Sequence, residues 1–279
     1  MENSLKNIST AEAKWLKLLF NYSKEKFTIT PLPSHDHLHH LRVWKYAKQI
    51  LSELEKQNIT YNLQEVEGIL VAVFFHDLGM TITREKQHGT ESRNLCKQFF
   101  EDHPILKPAN LQVILEMIER HDDKDYNDHS ETPDRPSLAA ILNISDDLDA
   151  FGNIGVYRYT EIYHFRELAM LDLPSRIIPN LEVRFQHFTR HLVHLGNLAD
   201  RHRKRFALTC DFFKSLEAEL KLGNNRIGSF QKIIQNLIEF SNSNETNIYS
   251  LARYIQDSDM VVRKFFSDFI HEMEEDSLD

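Results

Sequence analysis

Residues 62–79 constrain this chain more than any other stretch. Asn62 followed three positions later by Glu65 has the pattern of a helix capping box, and Val66, Ile69, Leu70, Val73 and Phe74 then recur at the spacing of one helical face. The run Val71-Ala72-Val73-Phe74-Phe75 leads directly into His76-Asp77-Leu78-Gly79. A helix this apolar has to be buried, so its C-terminal end carries two metal-competent side chains into the interior. Gly79 is suited to the left-handed conformation that closes helices, which predicts that His76 and Asp77 lie in the last turn and converge beyond it. Imidazole nitrogen with carboxylate oxygen suits Mn, Fe, Zn and similar divalent ions. A histidine at a helix end also complements the helix dipole, so the dipeptide gains meaning only from what accompanies it.

The rest of the chain predicts an all-α fold. Among 279 residues there are only eight Gly and eight Pro, alternating β-branched runs are scarce, and 41% hydrophobic residues suffice for a large core. Ser9 with Glu12 is read as opening a first helix whose stripe is Trp15, Leu18, Leu19 and Tyr22, ended by Pro31-Leu32-Pro33. Four histidines then crowd residues 35–40, and the helix they begin continues through Tyr46, Ala47, Ile50 and Leu54. Helices follow from about Gln87 to Phe100, with His88 at the start, and from Leu111 to Arg120, with His121 at the end before the polar loop Asp122-Asp123-Lys124-Asp125. Pro133 and Pro136 introduce a helix from Leu138 to Asp149 that is apolar until Ser145-Asp146-Asp147-Leu148-Asp149. Beyond it, Pro174 and Pro179 are read as breaks before a long segment from Leu181 to about Leu222. Gly223-Asn224-Asn225 is the last convincing linker, which divides the chain into 8–222 and a helical C-terminal extension, 223–279.

Charge and cysteines exclude several classes. A net charge of −9 argues against general nucleic-acid binding, which needs a basic footprint, while a small anionic substrate held through a metal remains compatible. Cys96 and Cys210 lack CxxC spacing, so neither a disulfide framework nor a thiolate zinc site is expected. There is no signal-peptide pattern, and no apolar run approaches the roughly twenty residues of a membrane span. The expectation is a cytoplasmic protein that does not engage membranes, with a homo-oligomer left open.

In chain order the candidate ligands are a histidine among 35–40, then His76-Asp77, His88, His121, and Asp146 or Asp147. This order resembles the HD-domain superfamily of metal-dependent phosphohydrolases, over roughly residues 30–210. The resemblance implies an all-helical bundle in which H…HD…D holds the metal, with two added histidines where there are two ions. On it, His39-His40-Leu41-Arg42-Val43 points to His39 as first ligand, and His35, four residues earlier, corresponds to the general acid of the cyclic-nucleotide phosphodiesterases. The stretch from Ile144 to Arg158, Ile-Ser-Asp-Asp-Leu-Asp-Ala-Phe-Gly-Asn-Ile-Gly-Val-Tyr-Arg, is similar to a segment of one broadly distributed bacterial branch and puts Asp146 in the ligand place. His88-Gly89-Thr90-Glu91-Ser92 and the stretch Asn197–Phe206 resemble other segments of that branch. The implied site is therefore His39, His76, Asp77 and Asp146, extended by His88 and His121 if two metals bind. Asp77 doubles as the base that orients water, and Arg158 is a candidate substrate contact. Met80 stands where many members carry lysine, and no Gly-Tyr-Pro follows His121, unlike the cyclic-di-nucleotide phosphodiesterases.

The chemistry agrees with the resemblance. Phosphoester hydrolysis needs a charge clamp and a hydroxide near neutral pH, and one or two divalent ions (Mn, Fe, Co, Ni, Zn or Mg) supply both. The chain has no Gly-rich phosphate loop and no Gly-x-Ser-x-Gly elbow. Two other classes use the same residues: an oxygenase holding two irons on this ligand set, and a non-catalytic module in which residues 226–279 bind a partner. His187, His191 and His194 share a helix face, and residues 201–205 form a basic run, either of which suits a solvated surface or a ligand.

Overall fold

The computed structural model describes residues 4–30, 32–123, 135–223, 227–243 and 247–277. Pro31, Lys124, Asp125, Pro133, Asn224 and Asn225, all of which entered the sequence reading, lie outside the described residues. Within the described residues the protein is all-α, with helices, short 3-10 segments and no strand. Packing divides the chain into two units, residues 1–31 with 35–146 and residues 32–34 with 147–279. The division falls inside the aspartate helix, between Asp146 and Asp147.

In the first unit, α1 spans Ser4–Ile29, α2 His37–Lys56, α3 Leu63–Phe75, α4 His88–Asp102 and α5 Leu111–Glu119, and α6 is Leu138–Asp149. α1 begins earlier than expected: Ser9 is inside it and donates its hydroxyl back to the Leu5 carbonyl instead of capping. α3 is the buried helix anticipated from its apolar run, with every residue from Ile69 to Phe75 at most 1% exposed. Its capping box is formed, the Asn62 side chain accepting from the Glu65 amide at 3.0 Å and the Glu65 carboxylate accepting from the Asn62 amide at 2.8 Å.

The role expected of Gly79 is corrected. α3 ends at Phe75 with His76 as its cap, the His76 amide still donating to the Ala72 carbonyl at 2.9 Å; a 3-10 turn covers Leu78–Thr81, and Gly79 does not have positive φ. It is required for closeness: a Cβ there would lie 2.0 Å from the His88 carbonyl oxygen and 2.6 Å from the Ser92 nitrogen. The Gly79 amide donates to Ser92 Oγ at 2.7 Å. Gly89 does the same for α5, since its Cβ would meet the Glu119 carbonyl oxygen at 2.6 Å. Two glycines thus let the turn after α3, the start of α4 and the end of α5 press together, and those three places carry His76-Asp77, His88 and His121.

The second unit contains α7 (Gly152–Phe165), α8 (Leu173–Leu192), α9 (Gly196–Leu222), α10 (Ser229–Asn242) and α11 (Met260–Ser277). Pro179 does not break the chain as expected. It lies within α8, where it forfeits one backbone hydrogen bond without ending the helix. The interruption falls instead at residues 193–195, followed by Gly196 with φ +48°. Gly223, φ +58°, closes α9 in the left-handed conformation. Beyond it, α10 and α11 pack on α7 and α9, so the C-terminal stretch is built into this unit.

Candidate metal centre

The Asp36 side chain caps α2 by accepting from the Leu38 and His39 amides at 2.9 and 3.3 Å, and so fixes where the first turn points His39. His39 Nε2 lies 3.2 Å from His76 Nε2, 3.4 Å from Asp77 Oδ2 and 3.6 Å from Asp146 Oδ1. His76 Nε2 is 3.5 Å from Asp77 Oδ2 and 3.8 Å from Asp146 Oδ1. A second group forms on the other carboxylate oxygen. Asp77 Oδ1 lies 3.1 Å from His121 Nε2 and 3.5 Å from His88 Nε2, and those two nitrogens are 3.3 Å apart. The ligand atoms of His39, His76, Asp77 and Asp146 therefore gather at one point, and those of Asp77, His88 and His121 at another, with Asp77 shared. All six side chains are buried.

The ring tautomers follow from the backbone. His76 Nδ1 is 2.7 Å from the Val73 carbonyl oxygen, His88 Nδ1 2.8 Å from that of Glu85 and His121 Nδ1 2.8 Å from that of Ile118. A carbonyl only accepts, so each Nδ1 carries a proton, and each ring, when neutral, turns a bare Nε2 lone pair toward Asp77. All three carbonyls lie three residues before their histidine, two of them in the last turns of α3 and α5, where carbonyls have no helical partner. His88 and His121, with Nδ1 spent and Nε2 atoms 3.3 Å apart, can coexist only around a shared proton or a cation. The donor set fits a divalent ion: imidazole and carboxylate, neutral rings already oriented, and one carboxylate able to bridge.

Electrostatics show what a proton does here. Burial would raise the Asp77 pKa, but the neighbouring His76 charge, then hydrogen bonds from His121 and His39, hold it well below the usual carboxylate range. Burial would likewise lower His121, yet Asp77 outweighs it and lifts His121 to about 9. A metal entering the second group has to displace that proton.

Other histidines of the 35–40 cluster have different surroundings. His40 is fully buried against Phe27 and Phe74, its Nδ1 2.8 Å from Ser23 Oγ, and burial, then the charges of His76 and His39, keep it neutral. His37 packs edge-on against Phe20 and is pushed down to about 4 by burial and by Lys24 and Arg42. His35 is buried with its ring centroid 5.7 Å from that of His39 and does not join either ligand group.

In the second unit several carboxylates are matched to arginines. Asp147, fully buried, is paired with the Arg184 guanidinium and has His187 Nδ1 at 3.3 Å. The two candidate aspartates have different neighbours: Asp146 faces His39 and His76, Asp147 faces Arg184. Arg158 is buried and lies 3.3 Å from Asp149, so a phosphate contact would have to share that guanidinium. Arg205 of the basic run binds Glu272 and the carbonyls of Leu148 and Phe151, a structural use. Neither Asp147 with Arg184 nor the buried Glu161, which accepts from Ser34 and from Tyr157 Oη, was foreseen from the sequence, because nothing in local spacing links positions so far apart. Cys96 and Cys210 are free and buried.

Residues 38–150 match the family model of the HD domain, in line with the resemblance to the HD-domain superfamily. The matched span contains every residue of both ligand groups. Comparisons with curated proteins and with solved structures returned no match. No helix among the described residues is long and apolar enough to cross a membrane.

Proposed function

We propose that the protein is a metal-dependent phosphohydrolase that cleaves a small phosphoester, nucleotide-like or another phosphorylated metabolite, and that its site holds two divalent ions bridged by Asp77. The observation that carries this reading is the split of Asp77, one carboxylate oxygen toward His39 and His76 and the other toward His88 and His121. His39, His76, Asp77 and Asp146 would hold one ion, and Asp77, His88 and His121 the other.

When bound, such ions supply Lewis acidity for the phosphoryl oxygens and a water of lowered pKa. The remaining work falls to the chain. The carbonyls of Val73, Glu85 and Ile118 hold three rings in the liganding tautomer, so no reorientation is required when substrate arrives. Asp77 would also orient the attacking water, and His35, four residues before His39, is assigned as proton donor to the leaving oxygen. The assignment of Arg158 to substrate rests on the sequence resemblance alone, as does membership of the bacterial branch. Residues 8–222 are proposed as the catalytic region, with 223–279 as its extension, acting on a small anionic substrate in the cytoplasm without general nucleic-acid binding or a membrane partner.

The test is phosphate release from nucleoside monophosphates, cyclic nucleotides and sugar phosphates, each with Mn, Fe, Co, Ni, Zn and Mg, alongside oxygen uptake with the iron form. Phosphate release that needs metal supports the reading. Oxygen uptake with no phosphate released from any substrate would replace it with the di-iron oxygenase.

A further inference from the structure

The second unit contains a cavity of about 410 Å³ lined by α9, α10, α11 and the start of α7. Pockets that take small molecules run from roughly 300 to 1,000 Å³, mostly apolar with a few polar groups. Its apolar wall is Phe212, Phe230, Phe265 and the fully buried Ile233, with ring centroids 5.2 Å apart for Phe212–Phe230 and 5.4 Å for Phe212–Phe265.

Side chains next to the lining tie the starts of α10 and α11 together. Asp259 accepts from the Val261 and Val262 amides at 2.9 and 3.4 Å to cap α11, and its other oxygen accepts from Ser229 Oγ at 2.7 Å. Lys232 of α10 reaches Asp257 at 2.8 Å.

Three polar side chains on the lining, Asn153, Ser215 and Asp211, make no side-chain hydrogen bond or ion pair among the described residues. Asn153 is only 5% exposed, and its backbone amide is already engaged by Glu272. Its side-chain amide is not among the buried polar atoms that lack a partner, so the little surface it keeps includes polar atoms open to solvent. At the rim Lys264 is neutralised by Asp268 at 2.7 Å, which leaves the negative charge of Asp211 unmatched.

We propose that this cavity is a binding site for a small organic amine: an aromatic or aliphatic body on the phenylalanine wall, a polar atom on Asn153 and Ser215, and the ammonium toward Asp211. The site is independent of the metal centre and of the reaction assigned to it.

The test uses the full-length protein with 1-naphthylmethylamine and, as the anionic counterpart, 1-naphthylacetate, titrated by ligand-observed NMR. Saturable binding of the amine, about fivefold tighter than the acetate as suits one exposed charge, is expected. Ser215→Phe, which fills the cavity, should abolish it, and Asp211→Asn should bring the two ligands within about twofold. Should Ser215→Phe fail to fold by circular dichroism, the exposed substitution Asp211→Lys decides: it should weaken the amine at least about fivefold. No saturable amine binding up to millimolar concentration, equal affinity for amine and acetate, or amine binding unmoved by Ser215→Phe or Asp211→Lys would each overturn the proposal and leave the cavity as solvent space.

Discussion

Two adjacent aspartates in one helix meet opposite surroundings. Asp146, with Asp77 in the first unit, faces the Nε2 atoms of His39 and His76, whereas Asp147, in the second, faces the guanidinium of Arg184. Both regions bury carboxylates, and burying a charge is costly unless a partner compensates. The second unit carries its own fixed cations, Arg184 for Asp147, Arg158 for Asp149 and Arg205 for Glu272. The first presents oriented lone pairs, whose balancing charge has to be a proton or a metal. The difference separates a structural ion pair from a site: a site keeps its electrostatic demand open to something that can arrive.

The comparison can be broken most forcefully at the shared carboxylate. His76→Ala/Asp77→Ala should lower metal-dependent phosphate release at least roughly a hundredfold, since the ions contribute several kcal/mol to the barrier and each 1.4 kcal/mol is tenfold. Retention of full turnover would show that this carboxylate does not organise the chemistry. Arg184→Met should act on stability instead. It removes the guanidinium from the buried Asp147 and should cost about 3–5 kcal/mol in chemical denaturation, with Asp147→Leu/Arg184→Met recovering most of the loss. A single variant as stable as the parent would contradict the account of the second unit. His121→Ala should next reduce tightly bound metal from two ions per chain to one, and an unchanged count of one in both proteins would reject the two-ion reading while leaving the hydrolase intact.

The smallest effect concerns pH. In chelated protein His121 titrates at about 9, above its unfolded value of about 6.5. A raised pKa stabilises fully below 6.5 and loses that contribution as pH climbs through 9, so Tm of the chelated protein should fall over that window. Metal must expel the same proton, so the increase in Tm on adding metal should grow with pH from 7 to 9. A metal-induced increase that shrinks over this range would show that no proton is displaced.

Much of the fold was legible because burial and helical periodicity coincide. The limits of α6 follow from its apolar run and prolines, and the burial of α3 from a stretch too apolar to face water. Legibility failed where tertiary packing overrode local signals. Gly79 read as a helix terminator, although its use is to admit the His88 carbonyl. Pro179 read as a break, although α8 absorbs it. The ligand candidates were readable from histidine and aspartate order combined with a family resemblance. The carbonyls that orient the rings were not, since every residue has a carbonyl and only the fold shows that those of Val73, Glu85 and Ile118 are within reach. The separation of Asp146 from Asp147 was hidden for a similar reason: Arg184 is 37 residues away from Asp147 in the chain.

The central claim is that Asp77 and its histidines form a site for divalent cations. Metal content per chain, measured by mass spectrometry after purification in a defined mixture of Mn, Fe, Co, Ni, Zn and Mg, tests it most directly. The parent protein should retain up to two ions per chain and His76→Ala/Asp77→Ala essentially none, with circular dichroism spectra alike. Equal metal in both proteins, or none in the parent, would contradict the account.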